Sequence, residues 1–176
     1  MIFTEIAIQG AYILDLERHQ DPRGFFARSW CQKEFERQGL NPRLAQCNIS
    51  FNEREGTLRG MHYQVKPCEE AKLVRCTRGA IYDVIVDLRA GSPTRGKSWA
   101  EVLDSENRNL LYIPEGLAHG FLTLADNTEV FYQMSEFYAP EWAQGFRWND
   151  PAFAISWPTP VEVISERDSS YPDFKK

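Results

Sequence analysis

The chain has 176 residues, of which 43% are hydrophobic and 26% are charged, and this composition is typical of one soluble globular domain. Its net charge of −5 and isoelectric point near 5.3 argue against nucleic acid as the main partner, although local Arg and Lys residues could still bind a small phosphorylated ligand. No stretch approaches the roughly 20 apolar residues of a membrane span, and we expect neither a signal peptide nor a membrane partner.

Most of the chain consists of short segments in which apolar and polar residues alternate, and a period of two indicates β-strands. The pattern predicts ten strands, at residues 12–16, 25–30, 44–51, 57–64, 72–77, 80–88, 98–103, 110–113, 120–124 and 129–135. One short helix is predicted over residues 31–38, with Phe35 as its buried anchor and Gly39 just after its end. Many short strands without alternating helices predict an all-β sandwich or jelly roll, as a single domain spanning residues 1–176.

The segment that follows Asn149 is rich in proline and aromatic residues and has no clear period. It is nevertheless too apolar to be typical of a disordered tail. We therefore expect it to wrap over the barrel or over a neighbouring subunit.

The four cysteines form no CxxC pair and no closely spaced framework; they are Cys31, Cys47, Cys68 and Cys76. A chain that begins without a signal peptide is expected to keep such cysteines as reduced thiols. The sequence therefore predicts a cytoplasmic location.

The three histidines are the first candidates for chemistry near neutral pH. His19 lies in a polar loop and is predicted to be a solvated surface residue. His62 lies within the predicted strand 57–64, where a hydrogen-bonded core histidine is the simpler explanation from the residue alone. His119 follows a Pro-Glu-Gly turn and precedes an apolar strand.

The spacing Pro114-x-Gly116-x-x-His119 resembles the second short motif of the cupin superfamily, whose fold is a double-stranded β-helix, or jelly roll. Metal-binding cupins also carry two histidines and a glutamate in their first motif. The corresponding stretch here is His62-Tyr63-Gln64, followed further on by Lys72. An amide and an ammonium cannot complete the ligand set of a divalent cation, so we predict no metal and no other cofactor.

A longer series of motifs covers almost the whole chain. It comprises Asp21-Pro-Arg-Gly-Phe-Phe26, Gly56-Thr-Leu-Arg-Gly-Met-His-Tyr-Gln64, Lys72-Leu-Val-Arg75, Asp83-Val-Ile-Val-Asp-Leu-Arg89, Ile113-Pro-Glu-Gly-Leu-Ala-His-Gly-Phe121, Trp148-Asn-Asp-Pro151 and Ser165-Glu-Arg-Asp168. In content and order it resembles the dTDP-4-keto-6-deoxyglucose 3,5-epimerase family, also called dTDP-4-dehydrorhamnose 3,5-epimerase. The resemblance implies a cofactor-independent isomerase that acts on a nucleotide-diphospho-4-keto-6-deoxyhexose, as a homodimer whose subunits exchange strands.

Epimerisation beside a ketone removes a carbon-bound proton and returns a proton to the opposite face, which requires a base, a donor and a partner for the enolate. The resemblance implies that His62 is the base, that Asp168 orients its ring, that Tyr132 is the donor and that Lys72 meets the enolate. Alternation places Tyr132 with Val130, so a buried core tyrosine is the competing interpretation. An inward Lys72 would be costly unless an anion meets it.

The resemblance also implies a set of substrate-binding residues: Arg23, Phe26, Arg28, Gln46, Asn48, Arg59, His119, Gln144 and Arg167. Arg59 presents a difficulty, because strict alternation places it on the opposite face of its strand from His62. Either a bulge at Gly60 or the use of Arg59 in a partner subunit's site would resolve the conflict.

Three positions depart from residues that are common in the family: Arg28, Gln133 and Gln144. A guanidinium at position 28 can only donate hydrogen bonds, whereas the carboxylate often found there can accept one from a pyrimidine N–H. The identity of the nucleotide base and of the sugar therefore stays open.

Three alternatives to the 3,5-epimerase remain. The chain could invert only C3 or only C5 of another nucleotide sugar. It could be a non-catalytic jelly roll that binds sugar nucleotides or glycans, in which case His62 would not be needed as a base. It could also be a metal-dependent cupin, which would require stoichiometric metal for activity.

Overall fold

The computed structural model describes residues 1–175, most of which belong to two antiparallel sheets and their connections. The strands are β1 (Ile2–Glu5), β2 (Tyr12–Asp15), β3 (His19–Asp21), β4 (Gly24–Phe26), β5 (Gln46–Asn52), β6 (Thr57–Gln64), β7 (Lys72–Arg78), β8 (Ala80–Asp87), β9 (Ser98–Asp104), β10 (Leu110–Ile113), β11 (Leu117–Thr123), β12 (Thr128–Met134), β13 (Ala143–Gly145) and β14 (Val163–Ile164). The helices are α1 (Gln32–Arg37) and α2 (Glu166–Ser169).

The two sheets pack face to face as a jelly roll. The first sheet has the order β1-β2-β10-β7-β12-β5, and the second has the order β13-β6-β11-β8-β9, with β14 added in parallel to β6. Alternate residues of both sheets meet in one buried core, for example Val74 and Leu111 of the first sheet and Ile85 and Phe121 of the second. The predicted all-β, cupin-like fold class is therefore confirmed.

The outer face of each sheet is also covered. Helix α1 lies over the first sheet, and Phe35 is its buried anchor, as predicted, in contact with Phe3 and Tyr112. The segment after β13 lies over the second sheet, where Phe146 and Phe153 pack against each other beside Met61. Of the two expectations for this segment, the structure shows the first, a cover on the chain's own barrel.

Some strand boundaries differ from the prediction. The predicted strand 25–30 stops at Phe26, because the chain turns towards α1 and Arg28 pairs there with Glu34. Strand β11 begins three residues earlier than predicted, since all of its residues are buried between β6 and β8 and no alternation marks them. Elements that are short, or that lack a clear period, were not predicted: β1, β3, β13, β14 and α2.

A bulge in β6 sets the position of the catalytic candidates. Along β11 the register advances by two residues, from His119 opposite His62 to Phe121 opposite Arg59, whereas β6 advances by three. The extra residue lies around Gly60, whose peptide bond to Met61 is cis. Such a bulge reverses the alternation, so Arg59 and His62 reach the same side of the sheet. Of the two solutions considered for Arg59, the bulge at Gly60 is the one observed.

Candidate active site

A cleft of about 490 Å³ opens between the inner faces of the two sheets. One wall belongs to the first sheet and carries Gln46 and Asn48 of β5, Lys72 of β7, and Tyr132 and Met134 of β12. The opposite wall belongs to the second sheet and to α2, and carries Arg59, His62, His119, Gln144, Arg167 and Asp168. Ten of the thirteen residues proposed from the sequence thus line a single cleft.

His62 and Asp168 form a hydrogen-bonded pair, with 2.8 Å between His62 Nε2 and Asp168 Oδ1. The second carboxylate oxygen of Asp168 accepts from the backbone N–H of Gly60, and the Asp168 N–H donates to Ser165 Oγ, the cap of α2. Burial alone would raise the pKa of Asp168, but the hydrogen bonds from His62 and Gly60 outweigh it and the pKa lies below its ordinary value. An ionised Asp168 therefore fixes the ring of His62.

The unbonded nitrogen of His62 is the one available to take a proton. Since Nε2 faces Asp168, a neutral ring carries its hydrogen there and its lone pair on Nδ1. Nδ1 has no hydrogen-bond partner in the described part of the chain, and His62 is only partly buried in the cleft wall. The geometry is that of a base oriented by a carboxylate.

Lys72 and Tyr132 face this pair from the other sheet. As alternation predicted, Tyr132 shares the inward face of β12 with Val130, and Lys72 shares the inward face of β7 with Val74 in the same way. Tyr132 packs against the core and also lines the cleft, so a core contact and a functional role are both compatible with its position. Lys72 Nζ lies 3.0 Å from Oε1 of Glu70, another cleft residue.

Two further cationic or basic groups are held in place by buried partners. Arg59 Nε donates to Asn52 Oδ1 at 2.7 Å, and Asn52 is fixed by backbone carbonyls of Ser50 and Thr128. His119 Nε2 lies 2.5 Å from Oδ1 of Asp83, which is fully buried. His119 stands directly opposite His62 in the strand register, so one wall carries two histidine–carboxylate pairs side by side.

Polar and aromatic side chains surround the cleft entrance. Gln144 accepts a hydrogen bond from the Tyr63 hydroxyl at 3.0 Å. Arg167 donates to the Tyr171 hydroxyl and, at 3.3 Å, to the hydroxyl of Tyr138. These contacts hold Gln144 and Arg167 beside the cleft.

Three of the residues proposed for substrate binding lie outside the cleft of their own chain. Arg23 is 89% exposed and pairs with Asp21, and Phe26 is 74% exposed; both belong to the β3–β4 hairpin. Arg28 pairs with Glu34 of α1 at 2.8 Å. None of the three contributes to the cleft within a single subunit.

Sequence reasoning missed several cleft residues, notably Tyr63, Glu70, Tyr138 and Ser165. For Glu70 a signal was present, since it lies two residues before Lys72 and residues at that spacing share a face in extended chain. Tyr138 lies in a loop after β12, where no period indicates the direction of a side chain.

Within residues 1–175, no three His, Cys, Asp or Glu side chains are grouped as metal ligands would be. The same residues contain no helix long and apolar enough to cross a membrane. The groups collected in the cleft are instead suited to proton transfer and anion binding.

The fold is a jelly roll whose inner cleft holds a histidine–carboxylate pair and, facing it, a tyrosine and a lysine. These features define a cupin-like enzyme of acid–base chemistry. The family model described as dTDP-4-dehydrorhamnose 3,5-epimerase matches residues 5–176. The chain is 41% identical to the dTDP-4-dehydrorhamnose 3,5-epimerase of Sinorhizobium fredii over 175 residues, which is 99% of this chain and 90% of that protein. It belongs to the dTDP-4-dehydrorhamnose 3,5-epimerase family and is an isomerase.

Two further similarities bear on the ligand and the reaction. The crystal structure of the dTDP-4-dehydrorhamnose 3,5-epimerase of Bacillus anthracis with TDP and PPi bound matches with a TM-score of 0.94 and 38% identity, covering 98% of this chain and 99% of that one. A protein of Streptomyces niveus named dTDP-4-dehydrorhamnose 3-epimerase is 40% identical over 169 residues, or 96% of this chain and 81% of that protein.

Proposed function

We propose that the chain epimerises C3 and C5 of dTDP-4-keto-6-deoxyglucose to give dTDP-4-keto-rhamnose, without a metal or other cofactor. One observation carries the proposal: His62 with its carboxylate and Tyr132 stand on opposite walls of one cleft. Inversion of a carbon requires a proton to leave from one face and another to arrive at the other face. A sugar ring held between the two sheets would present its faces to these two groups.

In the proposed reaction His62 removes the proton from the carbon next to the C4 ketone. The C–H electron pair forms the C=C bond of an enolate, and the ketone oxygen takes the negative charge. Asp168, which is ionised, stabilises the imidazolium that forms on His62. A base within hydrogen-bond reach typically contributes about 10²–10⁴-fold in rate.

Lys72 and Tyr132 complete the cycle. The ammonium of Lys72 donates to the enolate oxygen, where the negative charge develops. The Tyr132 hydroxyl then gives its proton to the opposite face of the carbon, the ketone re-forms, and His62 and Tyr132 return to their starting states through solvent. The same sequence at the second carbon inverts C5.

The nucleotide diphosphate is proposed to bind through the donors around the cleft, because phosphate oxygens need cations and N–H groups. Arg59, Arg167 and His119 supply these on the second-sheet wall, and the amides of Gln46 and Asn48 on the first. The bound TDP of the Bacillus anthracis relative supports a thymidine nucleotide. Gln144 occupies a position where the family often has glutamate, and we propose that it also binds the substrate.

We further propose a homodimer in which the β3–β4 hairpin of each subunit covers the cleft of the other. Strand β5 is an edge of the first sheet and exposes Ile49, which is 64% accessible, and Phe51. An apolar edge strand is suited to pairing with a second copy. Arg23 and Phe26 then have a role as ligand contacts that their own subunit does not offer.

We place this enzyme in the cytoplasm as one epimerase domain. All four cysteines are free thiols, which suits a reducing compartment. The segment after β13 packs on the second sheet and does not form a separate core, which supports one domain.

A C3-only epimerase is the second candidate, because a protein named as a 3-epimerase is as similar to this chain as the 3,5-epimerases are. Incubation with dTDP-4-keto-6-deoxyglucose in D₂O, followed by NMR, separates the two. The proposal predicts deuterium and inversion at both C3 and C5. Deuterium at C3 alone would contradict it and support the 3-epimerase.

Deuterium exchange by the parent chain tests whether it is an enzyme or a binding module, and a His62→Ala variant tests whether His62 is the base. We expect exchange to fall by roughly 10² or more while dTDP affinity stays within about threefold of the parent, because His62 acts on the sugar carbon. An exchange rate equal to that of the parent would contradict the assigned role of His62 and favour a different base.

A further inference from the structure

Glu70 is a buried acidic residue beside the proposed enolate partner, and its surroundings differ from those of a structural carboxylate. Its side chain is 4% exposed and that of Lys72 is 12% exposed, and both line the cleft. Oε1 of Glu70 lies 3.0 Å from Lys72 Nζ. Oε2 is buried and has no hydrogen-bond partner within residues 1–175. The pair with Lys72 is therefore the only polar contact of this carboxylate in the described residues.

Asp87 shows what a structural carboxylate of this fold looks like. It is fully buried and accepts from the guanidinium and backbone N–H of Arg89 and from the hydroxyls of Ser92 and Thr94. These bonds close the loop after β8 and lower the pKa of Asp87 despite its burial. Glu70 closes no loop and caps no helix, although burying a carboxylate with an unpaired oxygen is costly.

The chain geometry explains why Glu70 meets Lys72. Lys72 begins β7, and Glu70 precedes it by two residues, so both side chains point to the cleft while Ala71 and Leu73 pack on the other side with Phe35. A lysine has a flexible four-carbon stem, and its ammonium would otherwise sample several positions. The carboxylate of Glu70, with its Oε1 3.0 Å from Nζ, attracts the ammonium to one of these positions at the cleft wall.

We propose that Glu70 is a positioning residue that holds the ammonium of Lys72 where it meets the ketone oxygen of the substrate. The inference rests on the proposed function, since it takes Lys72 as the enolate partner. A donor that is already oriented towards the developing oxyanion stabilises the transition state more than one that must reorient. Glu70 thus acts on the reaction through Lys72 and does not touch the reacting carbon.

Two conservative variants separate the effect of the side-chain length of Glu70 from the effect of its charge. Glu70→Gln keeps the length and an oxygen acceptor but loses the charge, whereas Glu70→Asp keeps the charge but is one methylene too short. We expect kcat for deuterium exchange to stay within about fivefold of the parent for Glu70→Gln and to fall roughly tenfold or more for Glu70→Asp, with KM within about threefold in both. Glu69→Asp, at the neighbouring position outside the cleft, is the matched control and should leave kcat unchanged.

A double-mutant cycle tests whether the effect passes through Lys72. In a Lys72→Met background, Glu70→Asp should cost at most about twofold in kcat, because the ammonium that it positions is gone. An equal loss in both backgrounds, or a larger loss for Glu70→Gln than for Glu70→Asp, would overturn the assignment. If the parent chain exchanged no deuterium at all, the proposed function itself would fail, and the positioning role of Glu70 with it.

Discussion

At the scale of single residues, the proposed proton transfer to His62 depends on the ionised state of Asp168. Its carboxylate receives hydrogen bonds from His62 and from the backbone of Gly60, and it is buried in the cleft wall. In the proposed mechanism a negative charge in that position orients the ring and stabilises the imidazolium after proton transfer. The same charge also links the stability of the fold to pH.

We predict that Asp168 contributes to stability at neutral pH and loses that contribution in acid. Its pKa in the folded chain lies below the ordinary value of 3.8, so the unfolded chain binds the proton first as pH falls. The stabilisation is complete well above that value and disappears as pH drops through the lower folded pKa. Urea unfolding between about pH 6 and pH 2 should therefore show a smaller loss of unfolding free energy for Asp168→Asn than for the parent. Parallel pH curves would contradict the prediction.

At the scale of elements, the bulge in β6 places both Arg59 and His62 in the cleft, beside strand β11. Gly60 has φ +143°, and a Cβ atom there would lie 2.6 Å from the Cα of Gly120 on β11. Strands β6 and β11 can approach this closely only with glycine at both positions. A Cβ on Gly120 would likewise lie 2.9 Å from the carbonyl oxygen of Arg59. The two strands thus fix Arg59 and His62 on one wall.

We predict that Gly60→Ala destabilises the fold by about 2–4 kcal/mol, since it combines a positive φ with a backbone clash. Gly39→Ala is the matched control, because Gly39 also has a positive φ of 70° but a Cβ there meets no heavy atom within 4 Å. The control should lose about 1 kcal/mol, the cost of the left-handed conformation alone. Urea denaturation measures both, and equal losses would show that the strand contact does not matter.

The sequence predicts the direction of a site residue where its strand alternates regularly, and fails where the strand is irregular. Strand β6 has the predicted bounds, and the inward directions of Lys72 and Tyr132 follow alternation, because their strands are regular there. Alternation failed for Arg59, since a bulge inserts one residue and Gly60 alone does not reveal it. Asp83 and Tyr138 could not be assigned to the site, because a buried pair or a loop contact depends on tertiary structure, whereas the spacing of Glu70 from Lys72 was a signal that the prediction did not use.

At the scale of the whole molecule, the β3–β4 hairpin stands apart from the cleft of its own subunit. Arg23 and Phe26 belong to the motif that the family resemblance assigns to substrate binding, yet both are exposed and lie away from the cleft of their own subunit. The apolar edge at β5 offers a surface for a second copy. A dimer with exchanged hairpins accounts for both observations.

Subunit mixing tests this arrangement. A variant with Arg23→Ala and Phe26→Ala and a variant with His62→Asn should each be nearly inactive alone. In a mixed dimer the hairpin of the His62→Asn subunit would complete the intact cleft of the other, so random reassociation should restore about a quarter of the parent activity. No recovery, although native mass spectrometry shows mixed dimers, would mean that each hairpin serves its own subunit or none.

The most direct test of the central claim, that base and donor act from opposite walls of one cleft, is the Tyr132→Phe variant in D₂O. NMR of dTDP-4-keto-6-deoxyglucose then measures deuterium uptake and inversion at each carbon in one sample. We predict continued uptake with slow inversion, because His62 still removes the proton and returns deuterium to the same face, so the ratio of uptake to inversion rises at least about tenfold. A ratio equal to that of the parent would contradict the claim, since Tyr132 would then not supply the second face.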